Sequence, residues 1–524
     1  FTASWPLPVT RKESSRATLR AVRSARHNLP EDTARPGVLR LEHPHPLPEL
    51  CVNHLGVFTT TDSSSHRAWQ PLPGLPAVGG WASPDTPLGS VLDLTTELHE
   101  RPEGSELRAT LRAAGRHVSV EQAERFLRIW QEELRDLVEL AATDPGRCPA
   151  DFVVQQITQA EVDTWSTRFG HPVKEVLPLT ALQRSLALSS LASAGADGYI
   201  VQSILELHDD FRRLNAEVLA DAAGIVVGHH PGLGIAPAAS GSDLVGVVTS
   251  GLQVPAIELE MEESAVAEWL KQDARSTFDL SAPPLLRVAL LRTPDRCHLV
   301  ITCHHLITDG WTGQLLMLEL ARVLAALLEG DRDKARHCVV GDPGTFLRAS
   351  ALLLDKAEET RRVWADVLES VEPLVLGGPR SSVMEPHLVM AELPRDRCGQ
   401  LAELAAQENT SLHTLCQLAW GHALGSLTGR RSLVFGEVVS GRTLELPGIE
   451  ESIGCYANTV PGLVDLDPAG SWRQAVKNLV ALRRRVLGWE HLSLVDAHRI
   501  AGVRKLFDTL YVFQSYPPHH EELA

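Results

Sequence analysis

The sequence is short of positive charge, of paired cysteines and of aromatic residues, and the first two shortages each argue against a class of function. Its 49 basic residues face 66 acidic ones, for a formal charge of −17 over 524 residues. An acidic balance of that size argues against nucleic acid as a partner. The eight cysteines are scattered without a CxxC pair. Neither a zinc framework nor a disulfide framework is therefore expected, and a reducing compartment is. No apolar run approaches the length of a membrane helix and no signal-peptide pattern opens the chain, so no membrane partner is expected. There is no GxSxG elbow, no Walker-type phosphate loop and no HExxH helix, and no metal site is expected. A carrier-protein serine motif and an adenylation signature are missing too. What is present is the composition of a globular protein, 44% hydrophobic and 22% charged, in a chain long enough for two or more folding units. The abundance of Ala, Leu, Arg and Gly suggests a GC-rich bacterial genome. Because Phe1 is not an initiator residue, the chain is expected to be an excerpt of something longer.

One stretch organises the rest. The alternating apolar run Cys297–Thr302 reads as a buried strand, and Thr312–Leu320 has the apolar spacing of a helix. Between them lies Cys303-His304-His305-Leu306-Ile307-Thr308-Asp309-Gly310-Trp311. Two histidines thus end a strand, and an Asp-Gly turn four residues past the second returns the chain into a helix. A histidine at a strand end can face a channel while the sheet fixes its backbone, as a general base requires. His304 alternates to the other side of the strand and is expected to be structural.

This nonapeptide resembles the HHxxxDG motif of the condensation domains of nonribosomal peptide synthetases and of their chloramphenicol-acetyltransferase-like relatives. Other stretches follow in the family's order. Pro178–Gln183 resembles the opening PLTPLQ, particularly of domains that accept a donor with a D-configured end. Thr277–Val288 matches a turn and strand that hairpins through Thr293-Pro294-Asp295 into the histidine strand. Ser411–Trp420 reads as an amphipathic helix before Leu433–Arg442, which is close to VFGxxVSGR. Ile453–Pro461 resembles IGxFxNTxP, and Phe507–Tyr516 the last family motif. The sequence departs from the pattern where His229 and Gly234 stand in place of the arginines of RHxxLR, and over residues 346–366.

Before this unit, Phe1–Val9, Gly37–Leu41 and Leu50–Phe58 resemble stretches of epimerization domains, and residues 120–142 form an amphipathic helix. That earlier part has no HHxxxDG of its own, and His43-Pro44-His45-Pro46 is a proline-rich loop. The expected organisation is a C-terminal remnant of an epimerization or condensation-like domain over 1–143 and a linker over 144–176. A condensation domain would follow, with lobes over 177–345 and 346–524, the second apparently truncated. The fold class expected is α/β, chloramphenicol-acetyltransferase-like, with two lobes around a central tunnel.

The resemblance implies an acyltransferase that forms an amide bond between donor and acceptor thioesters, each carried on the phosphopantetheine arm of a carrier protein. No cofactor of its own is implied. The partners implied are upstream and downstream peptidyl carrier proteins and an adjacent adenylation domain, in a bacterial cytoplasm. His305 is the implied acid–base group, with His304, Asp309 and Gly310 completing the catalytic motif. Arg442, as a bidentate partner of Asp309, and Trp311 would support it, and Asn458, Gln183 and Ser440 would line the tunnel. The glycine would allow a tight turn and offer its N–H to an oxyanion. Two rivals share the motif: a coenzyme A-dependent acyltransferase, and an inactive scaffold that binds carriers. An unpaired Asp309 would favour the scaffold. His229-His230 and His519-His520 lack the downstream Asp-Gly and are assigned no chemistry.

Overall fold

The computed structural model describes residues 7–29, 49–59, 89–101, 104–143, 146–192, 198–207, 213–377, 387–466 and 470–515. Phe1–Trp5, Gly37–Leu41, the His43–Pro46 loop and His519-His520 lie outside them. The chain divides into two units, Phe1–Asp151 and Phe152–Ala524.

The first unit opens with α1 (Ser15–His27), whose first turn is capped by the Ser14 hydroxyl. Strand β1 (Leu50–Thr59) pairs in parallel with β2 (Leu92–Arg101), which pairs antiparallel with β3 (Gly104–Ala113). Helix α2 (Val120–Thr143) follows. Its stripe of Ala123, Phe126, Leu127, Trp130, Leu134, Leu137 and Leu140 is the half-buried side of the helix, but none of these residues is fully buried.

The second unit begins earlier than the sequence suggests. Helix α3 (Gln159–Phe169) carries a complete capping box, Thr158 with Glu161, and strand β4 (Val173–Pro178) follows it. Phe152, Ile157, Val162, Trp165, Phe169, Val173 and Val176 are buried together against Ala236, Ala238, Val245 and Val247. The stretch read as a linker over 144–176 is therefore core from Phe152 onward. Its polar composition hid an apolar residue at each turn of a short helix.

Next come α4 (Ala181–Ala192), β5 (Ile200–Glu206), α5 (Ala216–His229), β6 (Ile235–Ser240), β7 (Asp243–Thr249), β8 (Ala256–Glu260) and α6 (Glu263–Arg275). Strands β9 (Leu286–Arg292) and β10 (Cys297–His304) form the expected hairpin, closed by the Thr293 N–H on the Arg296 carbonyl at 2.9 Å. Two sheets result, in the orders β4-β7-β6 and β5-β10-β9-β8. The histidine strand β10 is interior to the second, with every residue buried. A continuous apolar run suits a strand covered on both faces.

Helix α7 (Gly310–Leu328) packs its Leu316, Leu320, Val323 and Leu324 into the first core. By length and mean hydropathy, 1.4, it could cross a membrane, so the expectation that no such segment exists is corrected. Half of it is buried inside the protein, as a core helix requires. After α8 (Arg332–His337) comes α9 (Pro343–Leu368), which covers the whole of 346–366. Phe346 and Ala349 belong to the first core, Trp364 and Leu368 to the second. One helix thus runs through both cores from near residue 345. Helices α10 (Arg395–Gln407) and α11 (Leu412–Thr428), strands β11 (Ser432–Val439) and β12 (Asn458–Asp465), helices α12 (Trp472–Val486) and α13 (Leu494–Ile500) and strand β13 (Leu510–Val512) complete the unit. The third sheet has the order β12-β11-β13. The stretch from β11 to β12 sends Leu444, Ile449, Ile453 and Tyr456 back into the first core.

Candidate active site

Strand pairing delivers the two histidines. The His304 N–H donates to the Leu285 carbonyl at 3.0 Å, and the His305 N–H to the Tyr199 carbonyl at 2.8 Å. The backbone is thus held to both flanking strands at the point where the side chains diverge. His304 is fully buried. Its Nδ1 accepts the Leu306 N–H at 3.0 Å, which places the proton of a neutral ring on Nε2, 3.2 Å from the Ser190 Oγ. Both ring nitrogens are spent on holding the turn, in keeping with a structural residue.

His305 is different. Its ring is half-buried, and its Nδ1 is buried with no hydrogen-bond partner among the described residues. The rest of the turn is tied down. Gln183, expected to line a tunnel, is fully buried and donates from Nε2 to the Leu306 carbonyl at 2.9 Å. It is a fastener of the histidine turn, because the carbonyl it reaches would otherwise be buried without a donor.

Asp309 caps helix α7. One oxygen accepts the Thr312 N–H at 2.7 Å, the other the N–H groups of Tyr456 and Ala457 at 2.8 and 3.1 Å. Arg442 lies 3.9 Å from the carboxylate, both groups buried. The expected bidentate pairing is not formed: three backbone N–H groups occupy the carboxylate, and the guanidinium turns to other acceptors. Those are the carbonyls of Ile449 and Ser452 and the Thr312 hydroxyl, the last at 3.0 Å. Burial lowers the Arg442 pKa, and Asp309 is the strongest influence opposing that shift. The guanidinium lies over the rings of Tyr456 and Trp311, 4.3 and 5.5 Å from their centroids.

Gly310 is the exposed first residue of α7 and has no positive φ, so the turn does not draw on glycine's freedom there. Gly441 does. At φ +68° its missing Cβ would stand 1.9 Å from the Tyr456 carbonyl oxygen, so no side chain fits. Trp311 donates from its indole to the Glu450 carbonyl at 2.8 Å. Asn458 gives its amide protons to the carbonyls of Glu490 and Leu492, each at 2.8 Å, which is a support role rather than an open tunnel wall. Ser440 is exposed and accepts the Arg442 N–H at 3.3 Å.

Sequence reasoning missed Thr312. Fully buried, its hydroxyl donates to the Gly454 carbonyl at 2.6 Å and accepts from Arg442 and, at 3.2 Å, from the Gly454 N–H. A hydroxyl residue three positions past a capping aspartate was the available signal. The nearby cysteines are not nucleophiles: complete burial pushes the Cys303 thiol up to about 12 and Cys455 well above its ordinary value. At the departures from the family pattern, His229 bonds the Gly341 carbonyl at 3.0 Å. His230 pairs with Glu319 at 2.6 Å, both buried. Gly234 is packed under Val248 and Leu252.

The family model described as Condensation domain matches residues 173–524. The chain belongs to the condensation domain family. It is 26% identical over 497 residues to a linear gramicidin synthase protein of Brevibacillus parabrevis, a match that covers 90% of this chain and 6% of that protein. It also resembles the first condensation domain of the calcium-dependent antibiotic synthetase in complex with a substrate analogue. There the TM-score is 0.53 and the identity 19%, over 66% of this chain and 82% of that one. A four-domain nonribosomal peptide synthetase bound to AMP and glycine matches with a TM-score of 0.54 and 16% identity, over 67% of this chain and 27% of that one. These likenesses establish the chloramphenicol-acetyltransferase-like fold of the second unit.

Proposed function

We propose that the condensation unit forms an amide bond between an acceptor amine and a donor thioester, both presented on the phosphopantetheine arms of carrier proteins. One observation carries the reading. In the turn from His304 to Thr312 the polar side chains are committed to hydrogen bonds within the fold, while the imidazole of His305 keeps a buried, unpartnered nitrogen. A half-buried ring so fixed in its backbone suits a proton acceptor, or an orienting partner, for the attacking amine, which would meet it at Nε2 because Nδ1 is sealed from solvent. The amine nitrogen bonds to the thioester carbonyl carbon, the C–S bond breaks, and the thiol leaves on its carrier arm. Holding two tethered reactants together supplies much of the acceleration. Asp309, in this reading, is a scaffold residue that locks the start of α7, and its full set of partners argues against the inactive-scaffold reading. We assign the first unit as the C-terminal part of an epimerization or condensation-like domain, without chemistry of its own. Carrier proteins and a neighbouring adenylation domain are the proposed partners, in the cytoplasm.

The test is a condensation assay with chemically loaded carrier proteins, comparing the wild type with His305→Ala. Product formation should fall by about 10²- to 10⁴-fold in the variant. Equal activity in both would remove His305 from the mechanism. A folded wild type that binds carriers but makes no product would favour the scaffold.

A further inference from the structure

The segment Gly488–Leu492, between α12 and α13, meets three parts of the second unit at once. On one side is α9: Trp364 donates its indole N–H to the Trp489 carbonyl at 2.8 Å, Thr360 Oγ1 lies 2.5 Å from His491 Nε2, and the Lys356 ammonium sits 5.0 Å over the Trp489 ring. On the other side are the two stretches that surround Asp309. The carbonyls of Glu490 and Leu492 take both amide protons of Asn458, which directly follows the Tyr456 and Ala457 amides that hold the Asp309 carboxylate. The Glu490 carboxylate accepts the Thr443 hydroxyl at 2.7 Å, and Thr443 directly follows Arg442. Glu490 is therefore bonded through its backbone to one wall of the Asp309 site and through its side chain to the other.

Glu490 is 8% exposed, and its side chain fronts a cavity of about 30 Å³ shared with Gln417, Glu437 and Arg483. Burial raises its pKa, against the Thr443 hydroxyl and the Arg483 charge. Burying such a group costs more than burying an amide that could accept the same hydrogen bond.

We propose that Glu490 is a positioning residue for condensation. By bracing residues 440–443 and 455–458 against each other, it sets the grip of the Tyr456 and Ala457 amides on Asp309, and through Asp309 the placement of the His305 turn. The proposal rests on the reading of His305 given above. It goes beyond that reading in naming a residue that contacts neither His305 nor Asp309, and in linking the site to α9, the helix that passes through both cores.

The experiment uses the full chain and two readouts, residue-resolved hydrogen exchange at the Tyr456 and Ala457 amides and turnover with loaded carriers. Glu490→Ala should speed exchange at both amides and lower kcat by up to about 100-fold with little change in acceptor KM. Glu490→Gln keeps an oxygen for the Thr443 hydroxyl and should restore both readouts toward wild type. If Glu490→Ala does not fold, Thr443→Val removes the same bond from the other end and should give the same pair of changes. Unchanged exchange and unchanged kcat would overturn the proposal, even if Tm falls. A wild type without condensation activity, in which Glu490→Ala still loosens the two amides, would refute the function reading and with it the role in condensation, while the bracing of the two amides by Glu490 would stand.

Discussion

The two cores of the condensation unit differ in how they use buried polar groups. The first, around β10 and α7, is largely aliphatic; Gln183 and His304 fasten the histidine turn, and one buried pair, His230 with Glu319, ties the end of α5 to α7. The second, around β11 and β12, is threaded by ionisable groups: Glu437 with Arg483 at 2.6 Å, Glu437 with His413 at 3.3 Å, Glu490 with Thr443, and His491 with Thr360. Burial raises the pKa of both glutamates and pulls both histidines down to about 4. The difference teaches how labour is divided. The first core presents His305 on a rigid strand end, and the stretch from β11 to β12 brings the Tyr456 and Ala457 N–H groups and the Arg442 guanidinium to Asp309, which α7 also holds through the Thr312 N–H. A hydrophobic lattice fixes a backbone, whereas gripping a carboxylate requires polar groups that must themselves be satisfied.

That contrast can be broken at several points. The largest effect should come from Arg442→Met, which deprives the Ile449 and Ser452 carbonyls and the Thr312 hydroxyl of their donor. Denaturant unfolding should show a loss of about 3 kcal/mol or more, since the acceptors stay buried. Asn458→Ala strands the Glu490 and Leu492 carbonyls. It should cost about 1–3 kcal/mol in the same measurement, with a lower condensation rate. A pH series probes the ionisable core. His413 and His491 titrate near 4 in the folded protein against 6.5 ordinarily. Between those values the unfolded chain takes up protons that the native histidines refuse, so the contribution of these two histidines is full above about pH 6.5 and falls as pH drops toward 4, while the raised glutamates Glu437 and Glu490 contribute with the opposite sign. His491→Gln should flatten the decline in Tm over that window. Ser440→Ala, at an exposed position, should shift stability by no more than about 0.5 kcal/mol. Any loss of turnover in it would then mark contact with substrate.

Much of the first core could be read in advance. The alternation of Cys297–Thr302 gives β10, the hairpin signal Thr293-Pro294-Asp295 gives its partner, and the spacing after Gly310 gives α7. Each is a local pattern tied to one backbone period. In the second core, the amphipathic helix that starts after Ser411 was also legible. What escaped was the fate of side chains whose partners come from distant segments. Gln183 and Asn458 stand in motifs that suggested a substrate path. Which backbone carbonyls would fold within 3 Å of their amides is a property of the tertiary structure. The Asp309–Arg442 pair was foreseen as a proximity, but not that backbone N–H groups would outcompete the guanidinium for the carboxylate. The linker over 144–176 misled for a related reason: a short helix buries an apolar face with few residues, and its polar side dominates the composition.

The measurement that bears most directly on the account is made on His305→Ala alone, with Tm and single-turnover condensation rate recorded on one preparation. Among the described residues no hydrogen bond ties the His305 Nδ1 to the fold, so Tm should match the wild type while the rate falls by about 10²-fold or more. A rate equal to wild type, or a Tm that collapses together with the rate, would contradict the claim that this imidazole is the group the fold leaves free for chemistry.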